Sequence, residues 1–188
     1  MLVKNVRGCT HRETSRKGLC SLLAVVGICG FIVATAYAYI TIDFEDGTDG
    51  NNITDHYANL GVKFKNAKWR VIFPELPGMS GRVAFDHSTL GGAPTASNPI
   101  VGVFKKPVHR ISVTAVDVGE LGVKLEVFNA KGKLTGRDGF SGAGLGAGNY
   151  RNLTVTRPGI VKFKLYQLYD FPSADLVHFD NLAFEFQP

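Results

Sequence analysis

The stretch "IVKFKLYQL", residues 160–168, alternates apolar and polar side chains with a period of two. In an extended strand successive side chains point to opposite faces, so Val161, Phe163 and Leu165 would share one side. The same alternation recurs in "YITIDFE", "RISVTAVD" and "GVKLEVFN", which begin at residues 39, 110 and 122. Helical periodicity is almost absent. The sequence therefore predicts strands with one buried face and one solvated face.

Turn-forming residues separate these strands. Clusters such as "EDGTDGNN", "PELPGMSG" and "TLGGAPTASNP" interrupt the alternation at short intervals. In "FNAKGKLTG", Gly132 supplies the positive φ that a tight hairpin needs. About nine or ten short strands with this spacing favour an antiparallel sandwich or barrel. We expect a single all-β domain over residues 39–188.

The first 38 residues have the layout of an export signal. Five basic residues precede the uncharged run "GLCSLLAVVGICGFIVATA", which starts at Gly18. The segment "AYA" (36–38) has small residues at the two positions that a signal peptidase recognises. Cleavage there would leave Tyr39 at the N-terminus. The alternative is a membrane anchor formed by residues 18–38, because the run is long enough to span a bilayer. Either way we expect a secreted or cell-surface protein.

Removing this leader changes the charge and the cysteine content. It contains five of the 21 basic residues and one of the 16 acidic residues, which leaves 16 against 15 in residues 39–188. This balance gives no support to nucleic-acid binding. Cys9, Cys20 and Cys29 all lie in the leader. An exported domain without cysteine must rely on packing, or on a bound ion, for its stability.

Four carboxylates, Asp43, Glu45, Asp46 and Asp49, lie within seven residues at the end of the first strand. Calcium takes six to eight oxygen ligands, and irregular turns after strands supply backbone carbonyls readily. The spacing is not that of an EF-hand loop. The segment is therefore either a solvated acidic turn or part of a cation site.

The last predicted strand, "LVHFDNLAFEF" (176–186), contains a second acid in an unusual position. By alternation Asp180 would share the inward side of Leu182 and Phe184. A buried carboxylate needs hydrogen bonds or a cation. A bulge at residues 180–181 would instead turn the acid outward, because Val177 and Phe179 have the opposite parity. Alternation alone leaves both arrangements open.

Catalytic templates mostly fail. "DHS" (86–88) contains the residue types of a triad, but neighbours on one strand end point apart. The glycine-rich "GFSGAGLGAGN" (139–149) lacks the residues of a phosphate-binding loop. A glycosidase would need two facing carboxylates. Its candidates, which we expect to be surface charges, are Asp86, Asp117, Glu120 and Asp138.

A first strand ending "DFEDGT" and a last strand of the form "FDNLAFEF" resemble the two ends of carbohydrate-binding, galactose-binding-like jelly-roll modules of secreted surface proteins. The resemblance spans residues 40–186. It implies a jelly-roll β-sandwich whose first and last strands are neighbours. It also implies a structural calcium ion held by Glu45 and Asp180, with Asp43, Asp46 or Asp49 as additional ligands.

The same resemblance implies a non-catalytic module that binds a glycan or another extracellular polymer. Sugar sites use aromatic rings as stacking platforms, although most aromatic residues of a sandwich belong to its core. The aromatic candidates are Trp69, Tyr57, Tyr150, Tyr166 and Tyr169. The alternative function is a structural or adhesive surface protein that assembles through its strands and has no small-molecule site. The sequence does not indicate an oligomeric state.

Overall fold

The computed structural model describes residues 39–71, 81–86, 94–118, 122–142, 149–168 and 177–187. The predicted leader lies outside these ranges. The described strands are β1 (Tyr39–Ile42), β2 (Val62–Lys65), β3 (Ala67–Val71), β4 (Arg82–Asp86), β5 (Ile100–Val116), β6 (Val123–Phe128), β7 (Leu134–Phe140), β8 (Tyr150–Gln167) and β9 (His178–Phe186). One turn of 3₁₀ helix, Ala58–Leu60, precedes β2. Nine strands, each paired antiparallel to its neighbours, confirm the predicted all-β sandwich.

Two long strands, β5 and β8, run through both layers of the sandwich. Residues 110–116 of β5 pair with 150–156 of β8, and residues 100–103 of β5 pair with 162–165 of β8. The register shifts between these two blocks, around Pro107 and Pro158, where proline cannot donate to the ladder. Each long strand therefore bends and contributes one part to each layer.

We name the layers after the strands that occur in only one of them. In the β9 layer, β9 lies beside the later part of β5, and β1 and β4 pair with the other edge of β9; β3 follows β4. In the β6 layer, the order is β2, the early part of β5, the late part of β8, β6 and β7. The first and last strands are thus neighbours, with Tyr39 opposite Glu185.

Apolar side chains from both layers meet in one core. Phe104 of β5 lies 4.9 Å from Phe184 of β9 and 5.4 Å from Phe163 of β8, measured between ring centroids. Phe64 of β2 extends this aromatic cluster to Phe44, which follows β1. All five rings are buried. Within the described ranges no helix is long and apolar enough to cross a membrane.

Candidate functional site

Glu45, the first predicted calcium ligand, is held by the start of β4. Its Oε1 accepts a hydrogen bond from the backbone N–H of Arg82 at 2.9 Å, and its Oε2 lies 3.7 Å from the Arg82 guanidinium. Arg82 also donates from Nη1 to the carbonyl oxygen of Glu45 at 2.8 Å. Asp43 accepts from the backbone N–H of Glu45 at 3.2 Å. The charge of Glu45 is therefore balanced within the chain.

Asp46 is bonded by two aromatic side chains. The Tyr57 hydroxyl donates to Oδ1 at 2.5 Å, and His56 Nε2 lies 3.0 Å from Oδ2. Burial opposes ionisation of Asp46, but the hydrogen bonds from Tyr57 and His56 outweigh it and lower the pKa of Asp46 below its ordinary value. Burial and the hydrogen bond to Asp46 together raise the pKa of the Tyr57 phenol. This cluster fixes the acidic loop to the segment before β2.

Asp49 is tied to the end of β3. Its Oδ1 accepts from the backbone N–H of Val71 at 2.9 Å, and its Oδ2 lies 4.0 Å from the Arg70 guanidinium. The four acids of residues 43–49 thus have separate partners rather than a common centre. Among the described residues, no three His, Cys, Asp or Glu side chains are grouped so that they could hold a metal ion. Calcium binding stays a prediction.

Asp180 lies at a β-bulge, which is the second of the two arrangements that the sequence left open. Asn181 has φ 49°, and the register between β5 and β9 shifts by one residue between Ser112 and Thr114. The extra residue places Phe179 in the core together with Leu182. Alternation then turns Asp180 away from that core, although it is 0% exposed. Its Oδ1 accepts from the backbone N–H of Asn181 at 2.7 Å.

Two of the predicted stacking aromatics belong to the core. Trp69 and Tyr57 are each 4% exposed. A Cβ added to Gly47 would lie 2.0 Å from the Trp69 indole, so the backbone of the acidic loop covers one face of this ring. The edge of His56 meets Trp69 at 4.8 Å between centroids. Neither ring presents a face to a sugar.

Tyr166 and Tyr150 lie on the outward side of β8, one in each layer. Tyr166 is a buried residue on the outward side of β8 in the β6 layer, opposite Lys124 of β6. Tyr150, at the start of β8 in the β9 layer, is exposed. Tyr169 lies outside the described residues. The structure therefore does not gather the four described candidates, Tyr57, Trp69, Tyr150 and Tyr166, into one platform.

Polar side chains on the outward face of the β9 layer line a shallow groove of about 310 Å³. The groove crosses β1, β9, β5 and β8 in that order. Its lining residues are Tyr39 and Thr41 of β1, Asn181 and Ala183 of β9, Arg110, Ser112, Val113 and Thr114 of β5, and Asn152 and Thr154 of β8. We call this surface the polar groove. Seven of these ten residues have a hydroxyl or an amide side chain.

The strand register explains the depth of the polar groove. Thr41, Ala183, Ser112 and Thr154 lie side by side across the four strands. Side chains in one such row point to the same face, so their sizes determine the height of the floor. Ala183 and Ser112, the smallest of the row, occupy its two central strands. The groove thus exists because small residues lie between larger ones.

Hydrogen bonds organise the rim of the polar groove. Thr114 Oγ1 donates to Asn152 Oδ1 at 2.9 Å, which leaves the Asn152 amide NH₂ without a hydrogen-bond acceptor among the described residues. Arg110 donates from Nη1 to Glu185 Oε1 at 3.2 Å, and Glu185 Oε2 lies 3.1 Å from His109 Nε2. Arg110 is therefore fixed at one end of the groove.

The sequence analysis missed this surface. Of the described aromatic candidates only Tyr150 lies near it, two residues before Asn152 on the same side of β8, and Asp180 lies beside it, opposite Thr114. A signal was present in "RISVTA" and "RNLTVT", whose polar residues after the first arginine are hydroxyl and amide residues rather than the charged residues of other solvated faces. Sequence alternation assigned these residues to the outside. It did not show that β5 and β8 place them side by side.

The carboxylates proposed for a hydrolase do not form a pair among the described side chains. Asp138 accepts backbone hydrogen bonds on both oxygens, from Gly139 at 2.8 Å and from Thr154 at 2.7 Å. Asp117 adopts φ 58° just after β5. Glu120 and the Asp86 side chain lie outside what the structure describes. Asp138 thus has a structural role that ties β7 to β8.

Comparison with known proteins supports the fold. No protein-family model matches the chain, and no curated protein matches its sequence. Among solved structures, the K2 cleaved adhesin domain of Lys-gingipain is similar, with a TM-score of 0.50 and 14% sequence identity. The match covers 78% of this chain and 99% of the adhesin domain. At this identity the similarity shows a shared β-sandwich fold.

Proposed function

We propose that the protein is a non-catalytic, extracellular adhesive module that binds carbohydrate in the polar groove. The polar groove is the main support for this proposal, because uncharged hydrogen-bonding side chains are concentrated there in the described structure. The export-type leader and the fold shared with an adhesin domain support an extracellular role. None of the ten lining residues is a carboxylate, imidazole or thiol. A bound sugar would therefore meet hydrogen-bonding partners without a general acid in direct contact.

The chemistry of the polar groove suits the hydroxyl groups of a sugar. Ser112, Thr41 and Thr154 provide hydroxyls that both donate and accept, and the Asn152 amide provides donors. Tyr39, which is 56% exposed, lies at one end of the groove and offers an apolar ring face. Because the groove is open and shallow, it fits a segment of a glycan chain lying along the sheet.

Two substitutions in the full 188-residue chain, purified in a neutral detergent, would test the groove on an array of uncharged oligosaccharides. Ala183→Leu raises the floor without removing a polar group, so binding should fall to background. Asn152→Ala removes one hydrogen-bonding side chain and should weaken binding about tenfold. Lys162→Gln in the β6 layer is the control, and it should bind like the wild type.

A wild-type protein that binds no glycan on the array would contradict the carbohydrate proposal. Self-association under the same conditions, measured by sedimentation, would then favour the alternative of an adhesive protein that assembles through its strands. Equal binding by Ala183→Leu and the wild type would move any sugar site away from the polar groove. Tyr150→Ala would then test the exposed ring at the start of β8.

The structural calcium ion is a separate part of the proposal. It is supported by the four carboxylates of residues 43–49, next to the strand that pairs with β9. Calcium would have to compete with Arg82 for Glu45 and with Tyr57 for Asp46. We expect millimolar calcium to raise the melting temperature and Glu45→Gln to abolish the increase. An unchanged melting temperature of the wild type in calcium and in chelator would contradict this part alone.

A further inference from the structure

The outward face of the β6 layer is strongly basic. In the strand register, Lys63 of β2 lies opposite Val103 of β5, which lies opposite Lys162 of β8. The next row joins Lys65, Val101 and Lys164 in the same way. Lys124 of β6 and Arg137 of β7 extend this surface towards the other edge. We call it the basic face and define it by Lys63, Lys65, Lys124, Arg137, Lys162 and Lys164.

The positive charge of the basic face is largely uncompensated. Lys63 pairs with Asp55 at 3.2 Å, and no other cation of the face is within ion-pair distance of an acid among the described residues. Glu126, the one carboxylate in these rows, lies opposite Lys164 and Arg137 in the register, and its charge contributes to raising the pKa of Tyr166. The ammonium groups of Lys162 and Lys164 lie 4.6 and 5.5 Å from the centre of the Phe128 ring. These two ammonium groups therefore make cation–π contacts with an aromatic ring and no ion pair with a carboxylate.

Overall composition does not explain this concentration of charge. Residues 39–188 contain 16 basic and 15 acidic residues, so a random surface would mix the two signs. The acids of residues 43–49 are instead bonded to groups of the loops and of β3 and β4. Like charges at alternate positions of one strand, such as Lys162 and Lys164, lie on the same face and repel each other. A face that keeps six cations despite this repulsion is complementary to a polyanion.

The geometry of the basic face favours an extended acidic chain. Strands lie about 4.8 Å apart and alternate residues about 7 Å apart, so four lysines of β2 and β8 form a flat lattice around Val101 and Val103. Val103 is 48% exposed, which gives the lattice an apolar floor. The aromatic rings here are covered, because Tyr166 is buried and two lysines lie over Phe128. Nucleic-acid bases would find no free ring for stacking.

We propose that the basic face binds an acidic polysaccharide, whose sulfate or carboxylate groups pair with the lysines of β2 and β8. Lysine ammonium groups are compact, hydrated point charges that follow such a chain without fixed geometry. This site is on the layer opposite the polar groove. It does not depend on the groove binding an uncharged sugar.

Dextran sulfate and unsulfated dextran provide a matched pair of probes for the full chain in neutral detergent. We expect the wild type to bind dextran sulfate at low salt and not to bind dextran. Replacing Lys63, Lys65, Lys162 and Lys164 by Gln should weaken binding to dextran sulfate at least about tenfold, and raising the salt concentration should weaken the wild type similarly. Far-UV circular dichroism and a thermal melt would show that the quadruple variant is folded.

Two control variants separate the basic face from general charge and from the polar groove. Lys68→Gln with Arg157→Gln removes two positive charges elsewhere, and Lys65→Gln with Lys164→Gln removes the same number from the face. Only the second pair should weaken binding. Ala183→Leu should leave binding to dextran sulfate unchanged, so the two proposals fail separately. Equal losses in both double variants, or no binding of dextran sulfate, would overturn this inference.

Single-stranded DNA and anionic lipid vesicles test whether the basic face prefers a different class of polyanion. Tighter binding of single-stranded DNA than of dextran sulfate would overturn the inference in favour of nucleic acid. Binding to phosphatidylserine vesicles that depends on the same lysines, without binding to dextran sulfate, would overturn it in favour of a membrane surface. Binding to dextran sulfate that survives in the quadruple variant would place the site elsewhere.

Discussion

Strands β5 and β8 contribute to both outward faces of the sandwich, yet their outward side chains differ between the two. In the β9 layer these include Ser112, Thr114, Asn152 and Thr154, which are uncharged and small enough to leave a groove, with the charged Arg110 at one end. In the β6 layer they are Val101, Val103, Lys162 and Lys164, which form a flat charged surface. The same backbone therefore serves two different surface chemistries. The bend around Pro107 and Pro158 is where one changes into the other.

The largest expected effect comes from a substitution that tests whether the two layers fold as one unit. A Cβ on Gly102, in the β6 layer, would lie 2.1 Å from the Phe163 ring. Gly102→Ala should therefore destabilise the protein by about 1–3 kcal/mol. Trp69, the only tryptophan of the chain, reports the β9 layer by fluorescence. In Gly102→Ala, the urea midpoint measured by Trp69 fluorescence should fall by the same amount as the midpoint measured by far-UV circular dichroism.

Gly132→Ala is the control for this substitution. Gly132 has φ +73° and open space around its Cβ position, so the variant measures the backbone effect without a steric clash. We expect a cost of about 1 kcal/mol. A Trp69 midpoint that stays at the wild-type value in Gly102→Ala would show that the layers unfold independently.

A corresponding substitution in the β9 layer is Gly47→Ala. The added Cβ would lie 2.0 Å from the Trp69 indole, but Gly47 is in a loop that can shift more easily than a central strand. We expect a cost of about 1–2 kcal/mol and a red shift of the Trp69 emission in the folded protein, because the ring loses its cover. Unchanged emission would contradict the described packing of the loop on Trp69.

The Asp46–Tyr57 pair gives a smaller effect that depends on pH. Tyr57→Phe should cost about 1 kcal/mol at neutral pH, because Asp46 loses a hydrogen bond. The pKa of Asp46 is lowered on folding, so its contribution is present above its unfolded value of 3.8 and is lost as the pH falls through the folded value. The difference between wild type and variant in urea denaturation should therefore shrink at low pH. A constant difference would contradict the pairing.

The smallest effect concerns Tyr166, the one phenol among the described outward residues of the β6 layer. Burial and the nearby Glu126 carboxylate raise the pKa of Tyr166 from 10.0 to about 12. A raised pKa contributes stability that is present below pH 10 and is lost as the pH rises through the folded value. Between pH 8 and pH 11 the melting temperature of the wild type should fall by about 1–2 °C more than that of Tyr166→Phe. Equal losses would contradict this contribution.

The fold followed from the sequence because alternation has a direct structural cause. Phe163 and Leu165 are buried where the pattern of "IVKFKLYQL" placed them, and Lys162 and Lys164 lie on the opposite side. The adjacency of β1 and β9 also agrees with the resemblance to jelly-roll modules. Alternation within one strand says nothing about register between strands. The bend that divides β5 and β8 between two layers was therefore not predictable from it.

The candidate sites were harder to predict because they depend on which strands are neighbours. The acidic residues 43–49 were conspicuous in the sequence, but their partners Arg82, Tyr57 and Val71 come from three different segments. Trp69 was predicted to be a stacking residue, but in the structure the backbone at Gly47 covers its ring. The polar groove needs four strands in one register, and no short motif records that arrangement.

The bulge at Asn181 changes which residues of β9 face the core in the two halves of the strand. Before it, odd-numbered residues such as Phe179 face the core; after it, even-numbered residues such as Leu182 and Phe184 do. One extra residue thus resets the inside–outside assignment midway through a strand. Deleting Asn181 would remove the bulge and leave Phe179, Leu182 and Phe184 facing the core and Ala183 facing outward, because the remaining residues would alternate without interruption. The bulge therefore lets β9 contain one residue more than regular pairing with β5 requires, and that residue, Asn181, contributes an amide to the lining of the polar groove.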